Sequence, residues 1–429
     1  MSSKIEKLLP ELVTQKIISE EQAIQIRQHI DSKKIKSNFL LAIYGILGAL
    51  LVSLGIISIV AHNWDQLSKG TKLVFAFLPL LIGQAGCLFG IIKKKNSVFK
   101  ESFATFLFFA IATTISMVAQ VYNISGDFEK FLLTWCLLAL PVVYLVPSSM
   151  TSLLYIALAT VYGCNAGYQS NSQKTFWFWL LLLAAVPYAL DHFKKTASNF
   201  TTWHLWFYCA AITILAGTFD YRLEEYTFMN YVFLFSAYLL LSQYDFFKNR
   251  RIIAQPFYLA GIAGTFTMLL AASFDWYWKE LMRMKELHFS LNNPEVLCWI
   301  VLSVICISLL IHLLRKINYK EFNPVSWSFA VFALCFFTGF GNPATSVLII
   351  NAWIFYLGVR FIYTGSRENN LLMVNFGLIV ITSLIICRYF DTSISFLLRG
   401  IGFLAIGAGF FIANYNILQK RKKETQNIQ

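Results

Sequence analysis

Three short polar clusters carry the residue types that do chemistry in an otherwise apolar chain. The first is Ala61-His62-Asn63-Trp64-Asp65 and the second is Gln120-Val121-Tyr122-Asn123 with Gly126-Asp127. The third is Arg388-Tyr389-Phe390-Asp391 with Arg399-Gly400. An arginine fork grips a carboxylate or phosphate through two parallel hydrogen bonds, and Asp65, Asp127 and Asp391 offer carboxylates of their own. Two readings stay open. Either the clusters are ion pairs that tie helix ends together, or they line an outward-facing polar pocket for an anionic headgroup or sugar. The second reading makes Asn63, Trp64, Asp65, Gln120, Tyr122, Asn123, Asp127, Arg388, Asp391 and Arg399 the candidate binding set.

Other chemistries find little footing. The sequence has no H-E-x-x-H, no paired metal-ligand spacing and no P-loop, so no metal, cofactor or catalytic residue is expected. Direct drive by ATP is not expected either. Cys87, Cys136, Cys164, Cys209, Cys298, Cys306, Cys335 and Cys387 form no C-x-x-C pair and read as small packing residues. Asp, Glu, Lys and Arg stay in loops or at the ends of apolar runs. A charge at a bilayer centre costs at least about 2.5 kcal/mol and is usually kept for ion or proton coupling. Its lack there argues against a proton-driven pump. Gln84, Gln120, Asn165, Asn230, Asn351 and Asn375 do lie within apolar runs. Such amides more often bond a neighbouring helix than a solute.

The elements that position these residues are membrane helices. Of 429 residues, 57% are hydrophobic and 13% charged, where a soluble chain carries about 25% charged. Apolar runs at 39–62, 71–92, 102–122, 131–146, 149–168, 175–191, 203–219, 226–243, 253–274, 294–314, 324–340, 343–364, 370–388 and 394–415 read as spans. This is an all-α integral membrane protein, a bundle of about 14 transmembrane helices with a defensible range of 12–14. With the N-terminus inside, 25 of the 35 basic residues fall on the cytoplasmic side, which places both termini there. Arg388 and Arg399 break that trend. The net charge of +13 is spread between the runs, so nucleic acid is not an expected partner.

Residues 1–38 form a cytoplasmic leader, 39–415 the membrane domain and 416–429 a basic tail. In the leader, Ser19-Glu20-Glu21-Gln22 reads as a capping box between two short helices, a hairpin. It serves as a lid or as a contact for a cytoplasmic partner at residues 1–37. Residues 275–293, with Trp276, Trp278, Leu281, Met282 and Met284, suggest an amphipathic helix lying in the outer interface. Gly83, Gly86 and Gly90, and Gly402, Ala405 and Gly409, have small-residue spacing for close helix contact. Pro79, Pro141 and Pro187 are expected to kink their spans.

The leader and a Gly-rich first span ending in Ala61-His62-Asn63-Trp64-Asp65 resemble the bacterial membrane family catalogued as domain of unknown function 2157. The stretch from Gln120 to Asp127 is similar to that family's next landmark. The closing run from Arg388 to Phe403 resembles a C-terminal module of the family and its relatives. The likeness covers about residues 1–146 and 370–415. It implies a multi-pass protein of the bacterial cytoplasmic (inner) membrane and, because the family has no assigned activity, no function.

Three functions fit these residues. The first is a transporter or flippase of an amphipathic or lipid-linked solute. The second is a membrane scaffold or sensor acting through its leader. The third is a membrane-embedded transferase with Asp65 or Asp127 beside Arg388.

Overall fold

In hydrocarbon a backbone must satisfy its own hydrogen bonds, and a single apolar run does so only as a helix. The computed structural model describes residues 12, 13, 15, 17, 19–26, 51 and 66–389, less 147, 170–175, 196–198, 220–223, 249, 284–290, 292, 317–321 and 340–341. It also describes 397, 400, 401, 404, 407, 408 and 411. Among the described residues all regular structure is helical.

The helices are α1 (Lys69–Ile92), α2 (Ser97–Val121), α3 (Phe128–Leu145), α4 (Ser149–Cys164), α5 (Phe176–Lys195), α6 (Asn199–Ala216) and α7 (Glu224–Ser242). They continue with α8 (Pro256–Ala272), α9 (Trp276–Arg283), α10 (Pro294–Lys316), α11 (Ser328–Gly339), α12 (Pro343–Arg367) and α13 (Leu371–Tyr389). Each segment expected as a span from 71–92 to 370–388 coincides with a helix. Six of them, α1, α2, α3, α10, α12 and α13, are long and apolar enough to cross a membrane. Pro79, Pro141 and Pro187 lie inside α1, α3 and α5, and each helix runs on through its proline. The expected spans 39–62 and 394–415, with Gly402, Ala405 and Gly409, lie outside the residues described as continuous helix.

The chain divides into two units, 1–78 with 120–123, and 79–119 with 124–429. In the first, Gln22 N–H donates to Ser19 Oγ at 3.2 Å and Ser19 N–H donates to Gln22 Oε1 at 3.0 Å. This reciprocal pair is the expected capping box, and it starts a helix over 20–26.

The second unit has two cores. One is built on α4, whose Tyr155, Ile156, Ala159 and Tyr162 are buried among Cys136 and Val143 of α3, Phe178 of α5 and Leu215 of α6. The other is built on α7, whose Met229, Val232, Leu239 and Leu240 share a core with Leu313, Val325, Phe332, Ile350 and Leu357. Both α4 and α7 are enclosed by other helices, so neither needs the length of a lipid-facing span. Cys87, Cys136, Cys209, Cys306 and Cys335 are free and buried in these cores, as small packing residues.

Contacts between helix ends sort the unit into two rims. At one, Glu101 of α2 meets Ser148 and Ser149 at the start of α4. There too His204 of α6 meets Ser152 of α4, Gln243 closing α7 meets Ser326, and Lys316 closing α10 meets Asp245. At the other, Asn230 of α7 meets Glu295 of α10, Thr338 of α11 meets Ser346 of α12, and Arg388 of α13 meets Ser273 after α8. Successive long helices therefore run antiparallel.

At the first rim the Glu101 carboxylate caps α4 from another helix. It accepts from the Ser149 amide at 2.8 Å, the Met150 amide at 3.0 Å and the Ser148 hydroxyl. Helix starts leave such amides without intrahelical partners and favour negative charge. Glu101→Ala is expected to cost about 2 kcal/mol through these orphaned donors. Thermal unfolding of the detergent-solubilised protein checks this, and an unchanged midpoint would show that water replaces the carboxylate.

The small residues on α1 do admit α2. A Cβ at Gly83 would lie 3.1 Å from Leu107 Cα, and one at Gly86 would lie 1.9 Å from the Phe103 ring. Gly90 faces Phe99 in the same way.

The loop helix α9 differs from expectation. Tyr277, Trp278 and Leu281 are buried in the protein, while Trp276 is exposed. Its apolar side packs on Phe228 and Phe332, so protein rather than lipid covers that side. The α7 and α11 rings offer that side a closer-packed surface than lipid does. Met284 lies outside the described residues.

Candidate functional site

Arg388 stands in the last turn of α13, where a helix end favours a cation. Its Nη2 donates to Ser273 Oγ at 3.2 Å, and its guanidinium carbon lies 4.5 Å from the centre of the Phe274 ring. Ser273 closes α8, and its hydroxyl donates in turn to the Leu270 carbonyl at 2.6 Å. The hydroxyl proton is thereby used within α8, and the oxygen lone pair is turned to Arg388.

The carbonyls that end α8 have no intrahelical partner. Side chains from elsewhere satisfy them. Asn351 of α12 donates to the Ser273 carbonyl at 3.1 Å and to the Val347 carbonyl at 2.7 Å. The Trp278 indole donates to the Ala272 carbonyl at 2.7 Å. Four elements thus meet at the end of α8, and a half-buried guanidinium is held there by a hydroxyl and a ring. A planar fork so held is suited to a carboxylate or phosphate.

The rest of the candidate set is distributed as follows. Gln120, Tyr122 and Asn123 close α2, with Tyr122 exposed and Asn123 in the left-handed region at φ 52°. The Ile124 amide then bonds back to the Ala119 carbonyl at 2.8 Å, the pattern that ends a helix at a left-handed residue. Asp127 is the N-cap of α3: it accepts from the Lys130 amide at 2.6 Å and pairs with the Lys130 ammonium at 3.2 Å. Its helix belongs to the core on α4, whereas α13 contributes Val380 and Leu384 to the core on α7. Asn63, Trp64, Asp65, Asp391 and Arg399 lie outside the described residues.

Asn230 and Asn351 both bond neighbouring backbone, the ordinary role of an amide in a membrane helix. Asn230 Nδ2 donates to the Glu295 carbonyl at 3.0 Å, and both residues are buried. Gln84 and Asn375 are exposed on α1 and α13. Ser273 and Phe274 are absent from the candidate set because nothing local marks them. Their partner Arg388 is 115 residues on from Ser273.

Residues 10–152 match the model of the family described as Predicted membrane protein (DUF2157). That stretch takes in most of the leader, the first two polar clusters and the helices as far as the start of α4. No curated protein and no solved structure matches the chain.

Proposed function

We propose that this chain is a polytopic inner-membrane protein of about fourteen spans with both termini cytoplasmic, and that it moves an amphipathic or lipid-linked solute whose anionic group engages Arg388. The observation that carries this reading is the half-buried guanidinium at the end of α8, held by Ser273 and Phe274. The distribution of charge supports the orientation. Lys93, Lys94, Lys95, Lys100, Lys248, Arg250, Arg251, Arg315 and Lys316 gather at the Glu101 rim. The Arg388 rim thus becomes the outward one, and Arg388 is a cation where topology asks for none. Of the candidate set, Asp391 and Arg399 follow Arg388 closely in sequence and offer a carboxylate and a second guanidinium for the same chemistry. Asn63, Trp64, Asp65, Gln120, Tyr122, Asn123 and Asp127 stay in the candidate set on their residue types alone.

The test is a dithionite-quenching assay on proteoliposomes holding the full chain and a fluorescent phosphatidylglycerol. Arg388→Ala is expected to slow translocation by about tenfold or more, and Arg388→Lys to restore part of it, since lysine keeps the charge but not the fork. Equal rates for wild type, both variants and protein-free vesicles would remove the transport reading.

A second reading rests on the leader. Ile17, Ile24 and Ile26 are exposed around the capped helix over 20–26, an apolar edge suited to a cytoplasmic protein partner. Under this scaffold or sensor reading, deleting residues 1–37 abolishes the cellular function while the membrane domain still folds. A deletion without phenotype would count against it.

A further inference from the structure

The loop between α7 and α8, at the Glu101 rim, is built more firmly than a connection requires. One helical turn, Asp245–Lys248, is followed by a 3-10 turn, Ile252–Ala254. The Gln255 side chain clamps the two together, donating to the Lys248 carbonyl at 3.0 Å and the Arg250 carbonyl at 2.6 Å. The Trp206 indole of α6 donates to the Ile253 carbonyl at 2.9 Å. Lys316 of α10 pairs with Asp245 at 2.8 Å and holds its carboxyl below the usual carboxylate range. Arg250 Nε donates to the Phe246 carbonyl at 3.0 Å, and its guanidinium lies 4.4 Å from the centre of the Phe246 ring. The loop is therefore fixed to α6, to α10 and to itself.

This fixed loop presents two kinds of surface side by side. Phe246, Ile252 and Ile253 are exposed, Ile253 to 75%. Lys248 and Arg251 are exposed next to them, with Arg250 half-buried and Lys316 of α10 held at Asp245. Among the described residues of this loop Asp245 is the acidic one, and it pairs with Lys316. Water would be a poor solvent for two adjacent exposed isoleucines, and so would the plain hydrocarbon core for three cations. The boundary of an anionic leaflet suits both, with the isoleucines among the acyl carbons and the cations at the phosphates.

We propose that Lys248, Arg250, Arg251, Ile252 and Ile253, in the loop between α7 and α8, form a docking site for the headgroup of an anionic phospholipid in the leaflet at this rim. Lys248, Arg250 and Arg251 meet the phosphate, and Ile252 and Ile253 seat the loop in the acyl boundary. The site is distinct from Arg388, which lies at the opposite rim, and it stands whether or not the chain transports.

The test is native mass spectrometry of the full chain in neutral detergent, titrated with phosphatidylglycerol, phosphatidylcholine or inorganic phosphate. Phosphatidylglycerol is expected to bind in preference to phosphatidylcholine. Lys248→Gln/Arg250→Gln/Arg251→Gln is expected to weaken it on the order of 100-fold. Lys93→Gln/Lys94→Gln/Lys95→Gln removes the same charge from another loop of that rim and is expected to leave binding near wild type. Ile253→Asn, which keeps every cation, is expected to weaken the lipid and not free phosphate. Equal loss in the two triple variants would reduce the effect to general charge and overturn the proposal. Equal binding of the two lipids would do the same, as would full competition by inorganic phosphate.

Discussion

Gly377→Leu is expected to leave the detergent-solubilised protein without a stable fold in its C-terminal half. Gly377 sits where α13 crosses α12, and a Cβ there would lie 2.7 Å from the Gly358 carbonyl oxygen and 2.9 Å from the Ile362 amide nitrogen. The obstacle is backbone, so no rotamer change relieves it. From the other side, a Cβ at Gly358 would lie 2.6 Å from Ile381 Cγ1, and one at Gly365 would lie 2.7 Å from the Val374 amide nitrogen. Three glycines thus let the two helices touch along their length. Association in lipid depends on such packing, because tails are as apolar as the side chains they replace. The turn adds to the constraint: Asn369 is left-handed at φ 54°, and the Asn370 amide bonds back to the Gly365 carbonyl at 2.8 Å. Separating the helices is expected to cost more than about 3 kcal/mol. Size-exclusion profile and thermal midpoint report the loss. Gly126→Ala is the control, since a Cβ there meets nothing within 4 Å. If both variants melt alike, the close crossing does not hold the hairpin.

Trp278→Ala has the second large expected effect. This indole is fully buried in α9, tilted against Phe332 at 5.5 Å and edge-on to Tyr277 at 5.0 Å between ring centres, and its N–H supplies the Ala272 carbonyl. Truncation removes a large volume from the core on α7 and leaves that carbonyl without its donor. The expected cost is about 3 kcal/mol. Trp278→Phe separates the contributions, since it keeps most of the ring and loses the donor, with about 1 kcal/mol expected. Because α9 packs against the end of α8, Trp278→Ala is also expected to loosen Ser273 and with it Arg388. Equal midpoints for the alanine and phenylalanine variants would mean that volume at this site contributes nothing.

How much of this was legible in the sequence depends on how far apart the partners lie. The helices from 71 to 388 follow from run length, because a backbone in hydrocarbon has one local solution. The capping box at Ser19 and Gln22 is legible for the same reason, its partners being three residues apart. Gly83, Gly86 and Gly90 share one face of one helix, so their packing role shows in their spacing. Gly358 and Gly377 lie on different helices and share no period, so their contact does not show.

The candidate site divides along the same line. Arg388 stands out in the sequence as a cation against the charge trend. Ser273, Phe274 and the carbonyls of α8 do not, because what makes them partners is the arrival of α13 and α12 beside α8. Glu101 reads as an ordinary charge at a span end until α4 is brought to it across 48 residues. The apolar side of α9 is plain from its residue types, yet periodicity cannot say whether lipid or protein covers it. Local hydrogen bonding and hydropathy act within a few residues and are written in order along the chain. Which helix ends meet at a rim, and which carbonyl an arginine, an amide or an indole finds there, depends on packing between segments a hundred residues apart.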